Sequence, residues 1–457
     1  MTVRRVLVAN RGEIAVRVVR ACFDENLETV VAVSQADVGT LAARLADRTV
    51  VIGPPVAAES YLSVERIVSA ALTTGCDAVH PGYGFLSEQP ALAQACENNG
   101  LTFVGPPVAV MKRSGDKLQA RAVAAELGIP IGSGTSGLSD ADNAVAAAQC
   151  SGLFPVLIKA SAGGGGRGMT IARTADELRA AFATSSSEAK RAFGNGTVYL
   201  ERLVEHARHV EVQVFGDTHG NVIHLGERDC STQRRYQKLV EEAPAVGLPD
   251  ELVASVQAAA VHLAAGLGYV GAGTVEFLVD VDRGDFLFLE LNARVQVEHP
   301  VSEMVTGIDI VREQLRVARG EPLSVTQQDV RVRGHSIECR VNSEDARRGF
   351  LPVPGRILRW TAPQGSGVRV DTFAENGAEV TPYYDSMIAK VVVWAPSRLE
   401  AIDLMSRALA KTTVEGLQTT IEFHLDVLAH PRFRSGPVTT RWVEEEFLPA
   451  WIAERSA

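Results

Sequence analysis

No run of apolar residues in this chain reaches the 18 or so that a membrane-crossing helix needs, so no membrane span is expected. The opening MTVRRVLVAN carries two arginines, but its apolar stretch is too short for a signal peptide, which places the chain in the cytoplasm. Cysteine is sparse: Cys22, Cys76, Cys96, Cys150, Cys230 and Cys339 are scattered with no CxxC spacing. Reduced and mostly buried thiols are therefore expected, with neither a disulfide frame nor a zinc site. Basic residues are in the minority, 45 Lys+Arg against 55 Asp+Glu, which argues against a nucleic-acid surface while leaving local basic pockets open. Internal repeats and low-complexity tracts are missing too. Two phosphate-binding signatures are absent. The turn after the first strand, Asn10-Arg11-Gly12, has one glycine where a dinucleotide site needs GxGxxG. The glycine-rich run further on has no Gly-Lys-Ser/Thr after it, so it is not a Walker loop.

What is present reads as a soluble α/β enzyme. At 457 residues the chain has room for about three domains, each able to bury a core. Arg5–Ala9, Thr29–Ser34, Ala78–His80 and Leu101–Val104 are strand-like and alternate with helical stretches, a doubly wound lobe over residues 1–113. Asp116–Leu127 is a helix closed by Gly128. Ile131–Asp140 is a flexible, Gly/Ser-rich boundary, followed by a strand over Phe154–Lys159 and a capping box, Thr174 with Glu177. Val198–Leu203 is another strand. Arg208–Phe215 sets His209, Glu211 and Gln213 against Val210, Val212 and Val214, a half-buried strand with one polar face. A long apolar helix covers Asp250–Leu267. A last lobe starts at Gly334, with strands at His335–Val341 and Ile388–Trp394 and a helix opened by Ser397 and Glu400.

The chemistry concentrates in FLFLELNARVQVEHP, residues 286–300. Phe286–Leu289 is a buried strand, and Glu290 and Asn292 extend it. A carboxylate in such a strand needs a cation, because burying it bare costs several kcal/mol. Gly273–Asp280 precedes it as a second strand. A hairpin centred on Arg283 sets Glu276 directly opposite Glu290, roughly 5 Å apart. Divalent cations between them would turn the repulsion into a site, with Asn292 as a neutral oxygen ligand; Mg²⁺ favours one or two carboxylates plus phosphates and water.

Upstream, Gly163–Gly166, Arg167 and Gly168 form a loop whose N–H groups can close on phosphate, with Lys159 at the end of the strand before it. Lys159, this loop, Glu276 and Glu290-Leu291-Asn292 resemble the ATP-grasp fold. Together with residues 8–22 (VANRGEIAVRVVRAC), 80–88 (HPGYGFLSE), 228–238 (RDCSTQRRYQK), 293–300 (ARVQVEHP) and 382–390 (PYYDSMIAK), they resemble biotin carboxylase from Val3 to about Thr440.

The resemblance implies a three-lobed ATP-grasp enzyme: a Rossmann-like N-terminal domain (1–113), an ATP-grasp domain (121–319) with a mobile lid at about 132–203, and a C-terminal domain (334–441). It implies that Lys117 and Lys159 grip ATP phosphates and that Gly165 and Gly166 lie on the lid. Glu201, Arg202, Leu203 and Val204 would line the adenine pocket, His209 would reach the ribose and Tyr236 would sit on the nucleotide side. Glu276, Glu290 and Asn292 would hold two Mg²⁺ or Mn²⁺ ions. Arg294, Gln296, Val297 and Lys238 would bind bicarbonate, Glu298 would be its general base, and Tyr83 and Arg340 would contact biotin. Many family members have histidine where this chain has Tyr236, so an altered nucleotide affinity is expected there. No Met-Lys-Met biotin acceptor occurs; Met111-Lys112-Arg113 is the nearest. The implied reaction is ATP- and bicarbonate-dependent carboxylation of biotin on a separate carrier protein, with a carboxyltransferase taking the product, within a homodimeric subunit of an acyl-CoA carboxylase. Two other readings stay open: another ATP-grasp ligase that activates a carboxylate or bicarbonate, and a non-catalytic ATP-binding subunit.

Overall fold

The computed structural model describes residues 3–161 and 169–456. The apolar runs of the N-terminal lobe form a five-stranded parallel sheet. Its strands are β1 (Arg5–Val8), β2 (Glu28–Ser34), β3 (Arg48–Gly53), β4 (Ala78–His80) and β5 (Thr102–Phe103), in the order β3-β2-β1-β4-β5. Strand order reverses between β1 and β4, and open α/β sheets gather ligand-facing loops at such a point. Here Asn10, just past β1, donates through Nδ2 to the carbonyls of Pro81 and Tyr83, 2.7 Å each, and so ties the two turns together.

A small antiparallel sheet follows: β6 (Val156–Ala160), β7 (Thr170–Ala172) and β8 (Val198–Arg202), in the order β7-β6-β8. Helices Ala141–Cys150 and Ala175–Phe193 cover it through Ala144, Ala148, Leu178 and Phe182. The segment 131–140 is not the loose boundary its composition suggests. Thr135 N–H donates to the Leu200 carbonyl at 2.9 Å, Arg202 N–H donates to Ser133 at 2.8 Å, and Ile131 bridges to Phe288. Gly134 is there for approach: a Cβ on it would lie 2.3 Å from the Leu200 carbonyl oxygen.

The rest of the chain builds an eight-stranded antiparallel sheet. Its strands are β9 (Ala207–Gly216), β10 (Val222–Arg234), β11 (Gln237–Ala243), β12 (Gly271–Asp280), β13 (Asp285–Asn292), β14 (His335–Asn342), β15 (Val368–Thr372) and β16 (Met387–Ala395). They run in the order β13-β12-β9-β10-β11-β14-β16-β15. The strands after Gly334 thus extend the same sheet, with β14 paired directly on β11. Helix Asp250–Leu267 packs Val256, Ala260 and Leu263 against Val210, Val212, Val275 and Phe277 on the back of the sheet.

Strand β9 keeps its alternation but is buried on both faces, not one. Its polar face meets complementary charges, so His209, Glu211 and Gln213 are enclosed as thoroughly as the valines between them. The β12–β13 hairpin also departs from the expected register. Its ladder runs from Asp280↔Asp285 to Phe277↔Phe288, so the turn is centred between Asp282 and Arg283. Leu289 is then an extra residue, and the ladder resumes at Glu276↔Glu290. Such a bulge switches the parity of the strand that carries it. Phe286 and Phe288 enter the core, as does Leu291 beyond the bulge, while Glu290 and Asn292 turn to the other side. Unbroken alternation would have buried Glu290 among the phenylalanines. Among the described residues no helix is long and apolar enough to cross a membrane. The six cysteines are free thiols, five buried and Cys150 exposed.

Candidate active site

A cleft of about 1350 Å³ opens between the small sheet, the polar face of the large sheet and the turns of the N-terminal lobe. Its volume exceeds that of a usual single-ligand pocket. One wall is the bulged hairpin. Glu276 is buried and its Oε1 accepts from Lys238 Nζ at 3.0 Å and Gln296 Nε2 at 3.1 Å, while His209 Nε2 lies 3.0 Å from Oε2. Burial pushes the Glu276 carboxyl up, but Lys238 and His209 outweigh it and hold the group well below the usual carboxylate range. Glu290 is half-buried, with Lys117 Nζ 3.6 Å away. Asn292 Oδ1 accepts from Arg294 Nη2 at 3.1 Å, and its buried Nδ2 has no partner among the described residues. Two opposed carboxylates and an amide oxygen on one cleft face are a hard-donor set of the kind Mg²⁺ or Mn²⁺ takes.

The small sheet supplies the next wall. Lys159, next to last in β6, is 3% exposed, its ammonium ion-paired with Glu201, which also receives Arg121. Glu201 therefore lines the cleft with its carboxylate already committed to two cations. Arg202 is held by Asp280 at 3.0 Å, and Leu203 and Val204 line the cleft beside it. His209, expected to reach a ribose, lines the cleft with its ring in the Glu276 network; burial lowers its pKa, but Glu276 raises it further, leaving a net increase. Tyr236 sits in the turn between β10 and β11 at φ 62°, 43% exposed. Gly165 and Gly166 lie outside the described residues.

The far end of the cleft gathers the remaining predicted residues except Glu298, which lies enclosed behind its wall. Arg294 donates to Gln296 Oε1 at 2.7 Å, with Glu88 Oε2 3.1 Å from its Nε. Val297 lines the cleft, and its carbonyl accepts from Lys390 Nζ at 2.8 Å. Tyr83 donates its hydroxyl to Glu13. Glu298 is fully enclosed, clamped by Lys238 Nζ on Oε1 at 2.6 Å and Arg340 Nη2 on Oε2 at 3.0 Å. Burial pushes the Glu298 carboxyl up, Lys238 and Arg340 pull it down, and the net is a carboxylate below its ordinary range. Lys238 is the hub: burial disfavours its charge, but Glu211, Glu276 and Glu298 raise its pKa well above the usual lysine value.

Three residues here were not singled out from sequence. Glu211 is wholly buried, taking Lys238 at 2.5 Å and Arg228 Nε at 2.6 Å. Arg228, equally buried, also donates to Gln213, Ser302 and Thr274. Glu290, Glu276, Glu211 and Arg228 form one cross-strand row over β13, β12, β9 and β10. The alternation of β9 was the available signal for Glu211. Glu88, at the end of HPGYGFLSE, holds Arg294 and had no signal beyond its motif.

A parallel α/β lobe, a small antiparallel sheet carrying a buried lysine, and a carboxylate pair on the facing sheet define an ATP-grasp enzyme. Comparison with known proteins narrows the class. Residues 2–111 match the biotin carboxylase N-terminal domain, 116–326 the carbamoyl-phosphate synthase L chain ATP-binding domain, and 338–445 the biotin carboxylase C-terminal domain. The chain is 48% identical to biotin carboxylase 1 of Bacillus subtilis, over 97% of this chain and 98% of that one. It is 47% identical to the 2-oxoglutarate carboxylase small subunit of Hydrogenobacter thermophilus, over 97% and 93%. The biotin carboxylase domain dimer of that thermophile's 2-oxoglutarate carboxylase, solved with MgADP, ADP and bicarbonate, superposes at a TM-score of 0.95. It is 45% identical and is covered to 99%, as is this chain. The chain belongs to the biotin carboxylase family. It is accordingly an ATP-dependent ligase.

Proposed function

We propose that this chain carboxylates biotin with ATP and bicarbonate, the biotin being carried on a separate protein and the product passed to a carboxyltransferase of an acyl-CoA carboxylase. The observation that carries the reading is Glu298, an enclosed carboxylate just behind the cleft wall, held between Lys238 and Arg340, which both line the cleft. We assign residues 1–113, 121–319 and 334–441 to the three domains, and we place the working enzyme in the cytoplasm as a homodimer.

Lys117 and Lys159 would neutralise the triphosphate beside β6, and Leu203 and Val204 would take the base. Glu276, Glu290 and Asn292 would hold the two Mg²⁺ or Mn²⁺ ions, which when bound offset the charge on the transferred phosphoryl group. Arg294, Gln296 and the Val297 backbone would seat bicarbonate against Glu298. Glu298 takes the bicarbonate proton, and the freed oxygen attacks the γ-phosphorus as the bond to ADP breaks, giving carboxyphosphate. Carboxyphosphate then divides into CO₂ and phosphate. The phosphate removes the ureido N–H proton of biotin, and the nitrogen attacks CO₂ with Arg340 stabilising the developing oxyanion and Tyr83 against the ring. Lys238 holds Glu298 and the bicarbonate site in register throughout.

The test is ADP release with ATP, bicarbonate and free biotin. Turnover that needs bicarbonate and rises with biotin is expected. Stimulation by another amine with none by biotin would assign the chain to a different ATP-grasp reaction, and tight nucleotide binding without bicarbonate-dependent turnover would make it a non-catalytic subunit.

A further inference from the structure

Behind Arg340 lies a pair of acids that the reaction above does not use. Glu241 on β11 and Glu338 on β14 are directly opposite each other in the sheet, and both are fully buried. Opposed residues on one face of an antiparallel pair bring their Cβ atoms to about 5 Å. Glu241 Oε1 accepts from Arg340 Nε at 2.6 Å and also contacts Nη2, the same nitrogen that reaches Glu298 at 3.0 Å. The second oxygen of Glu241 and both oxygens of Glu338 have no hydrogen-bond partner among the described residues.

Two adjacent anions with three bare oxygens are not tenable in a dry interior. One proton on Glu338, donated to the open oxygen of Glu241, pairs two of the three and removes one of the two charges. The surrounding charges are mixed: around Glu338, Lys390 and Arg340 favour the anion while Glu241 and Glu298 disfavour it, and around Glu241, Arg340 and Lys238 favour the anion against Glu298, so burial decides. Burial pushes Glu338 well above the carboxylate range, and it pushes Glu241 up to about 7 although Arg340 pulls it back.

The consequence concerns Arg340. A guanidinium prefers a two-pronged grip on a carboxylate. With its Nε side spent on Glu241, Arg340 gives Glu298 a single contact and keeps an edge for substrate. Without Glu241 it is free to close on Glu298 and take the base out of use. We propose that Glu241 is a positioning residue that aims Arg340, and that Glu338 behind it is a neutral acid whose O–H fixes Glu241. The inference rests on the reading of Arg340 as a biotin contact.

The full chain, assayed for ADP release with free biotin as the varied substrate, tests it in three variants. Glu241→Gln is expected to lower kcat/KM for biotin at least about 30-fold with the KM for ATP within about twofold, because only the aim of Arg340 is lost. Glu338→Gln keeps a neutral donor and is expected to cost no more than about threefold. Arg340→Gln is the control. If it leaves biotin kinetics unchanged, the reading of Arg340 is itself overturned. If it is severe while Glu241→Gln costs less than about threefold, or if KM for ATP rises in parallel, only the positioning role falls. A Glu338→Gln enzyme as impaired as Glu241→Gln would show that Glu338 carries charge. Infrared difference spectra of the wild type against Glu338→Gln decide this last point even should Glu241→Gln fail to fold: the stretch of a protonated carboxyl must vanish in the variant, and its absence from the wild type overturns the proposal.

Discussion

Lys390 donates to the carbonyl of Val297 at 2.8 Å across 93 positions of sequence. It has no solvent exposure, and its ammonium also meets Glu13 Oε1 at 3.2 Å and Asp371 Oδ2 at 3.8 Å. One buried cation therefore joins the helix Gly12–Asp24, β15, β16 and the loop that presents Arg294–Glu298. Replacing it leaves the buried Glu13 carboxylate without its cation, whereas Asp371 keeps Arg369; breaking a buried pair typically costs about 3–5 kcal/mol. Lys390→Met is expected to lose that much in chemical denaturation and, where folded, to raise the KM for bicarbonate more than that for ATP. A variant with unchanged bicarbonate kinetics would limit Lys390 to stability.

Glu290 and Glu276 face each other, yet their surroundings differ. Glu276 is wrapped by Lys238, Gln296 and His209, whereas Glu290 is half-exposed with one lysine at 3.6 Å. Glu290→Gln is expected to lower metal-dependent ATP turnover about 100-fold or more, since a charge-bearing ligand is lost from the phosphoryl-transfer site. Its melting temperature should stay at the wild-type value. Glu276→Gln should lose both activity and stability, because Lys238 and His209 are left beside a neutral amide.

Arg294 holds Gln296, Asn292 and Glu88. Arg294→Ala is expected to lower biotin carboxylation about 100-fold or more while MgATP still raises the melting temperature. Retained carboxylation, measured as label from bicarbonate entering biotin, would remove Arg294 from the bicarbonate site.

His424 supports the chain behind Arg340, its Nε2 lying 2.7 Å from the Arg340 carbonyl. Burial lowers its pKa to about 4. The unfolded chain, with a histidine near 6.5, binds the proton first as pH falls, so the His424 contribution is complete above about 6.5 and lost on the way to about 4. That window is worth on the order of 3 kcal/mol. The urea stability of His424→Gln should therefore fall less between pH 6.5 and 4 than that of the wild type; parallel curves would show that His424 titrates normally in the fold.

Much of the site was legible in the primary structure because its groups are carried on short, contiguous patterns. The apolar run broken by Glu290 and Asn292, the lysine near the end of β6 and the alternation of β9 each follow from the period of a strand and the cost of burying charge. These patterns placed Glu276 opposite Glu290, although the hairpin reaches that pairing by a bulge at Leu289 that the expected turn did not contain. A turn shifted by half a residue and a one-residue bulge offset each other, and alternation alone cannot reveal two compensating irregularities.

Other features depend on strands far apart in the chain. That Lys238 answers Glu211, Glu276 and Glu298 at once, that Glu298 is sealed beneath Arg340, and that Glu241 backs onto Glu338 are results of sheet order. The linear sequence determined which residues carry charge and that their strands must bury it. Only the folded structure decided which charges are neighbours, because the energy of a buried ion depends on partners within a few ångströms and these come from segments about a hundred or more residues away.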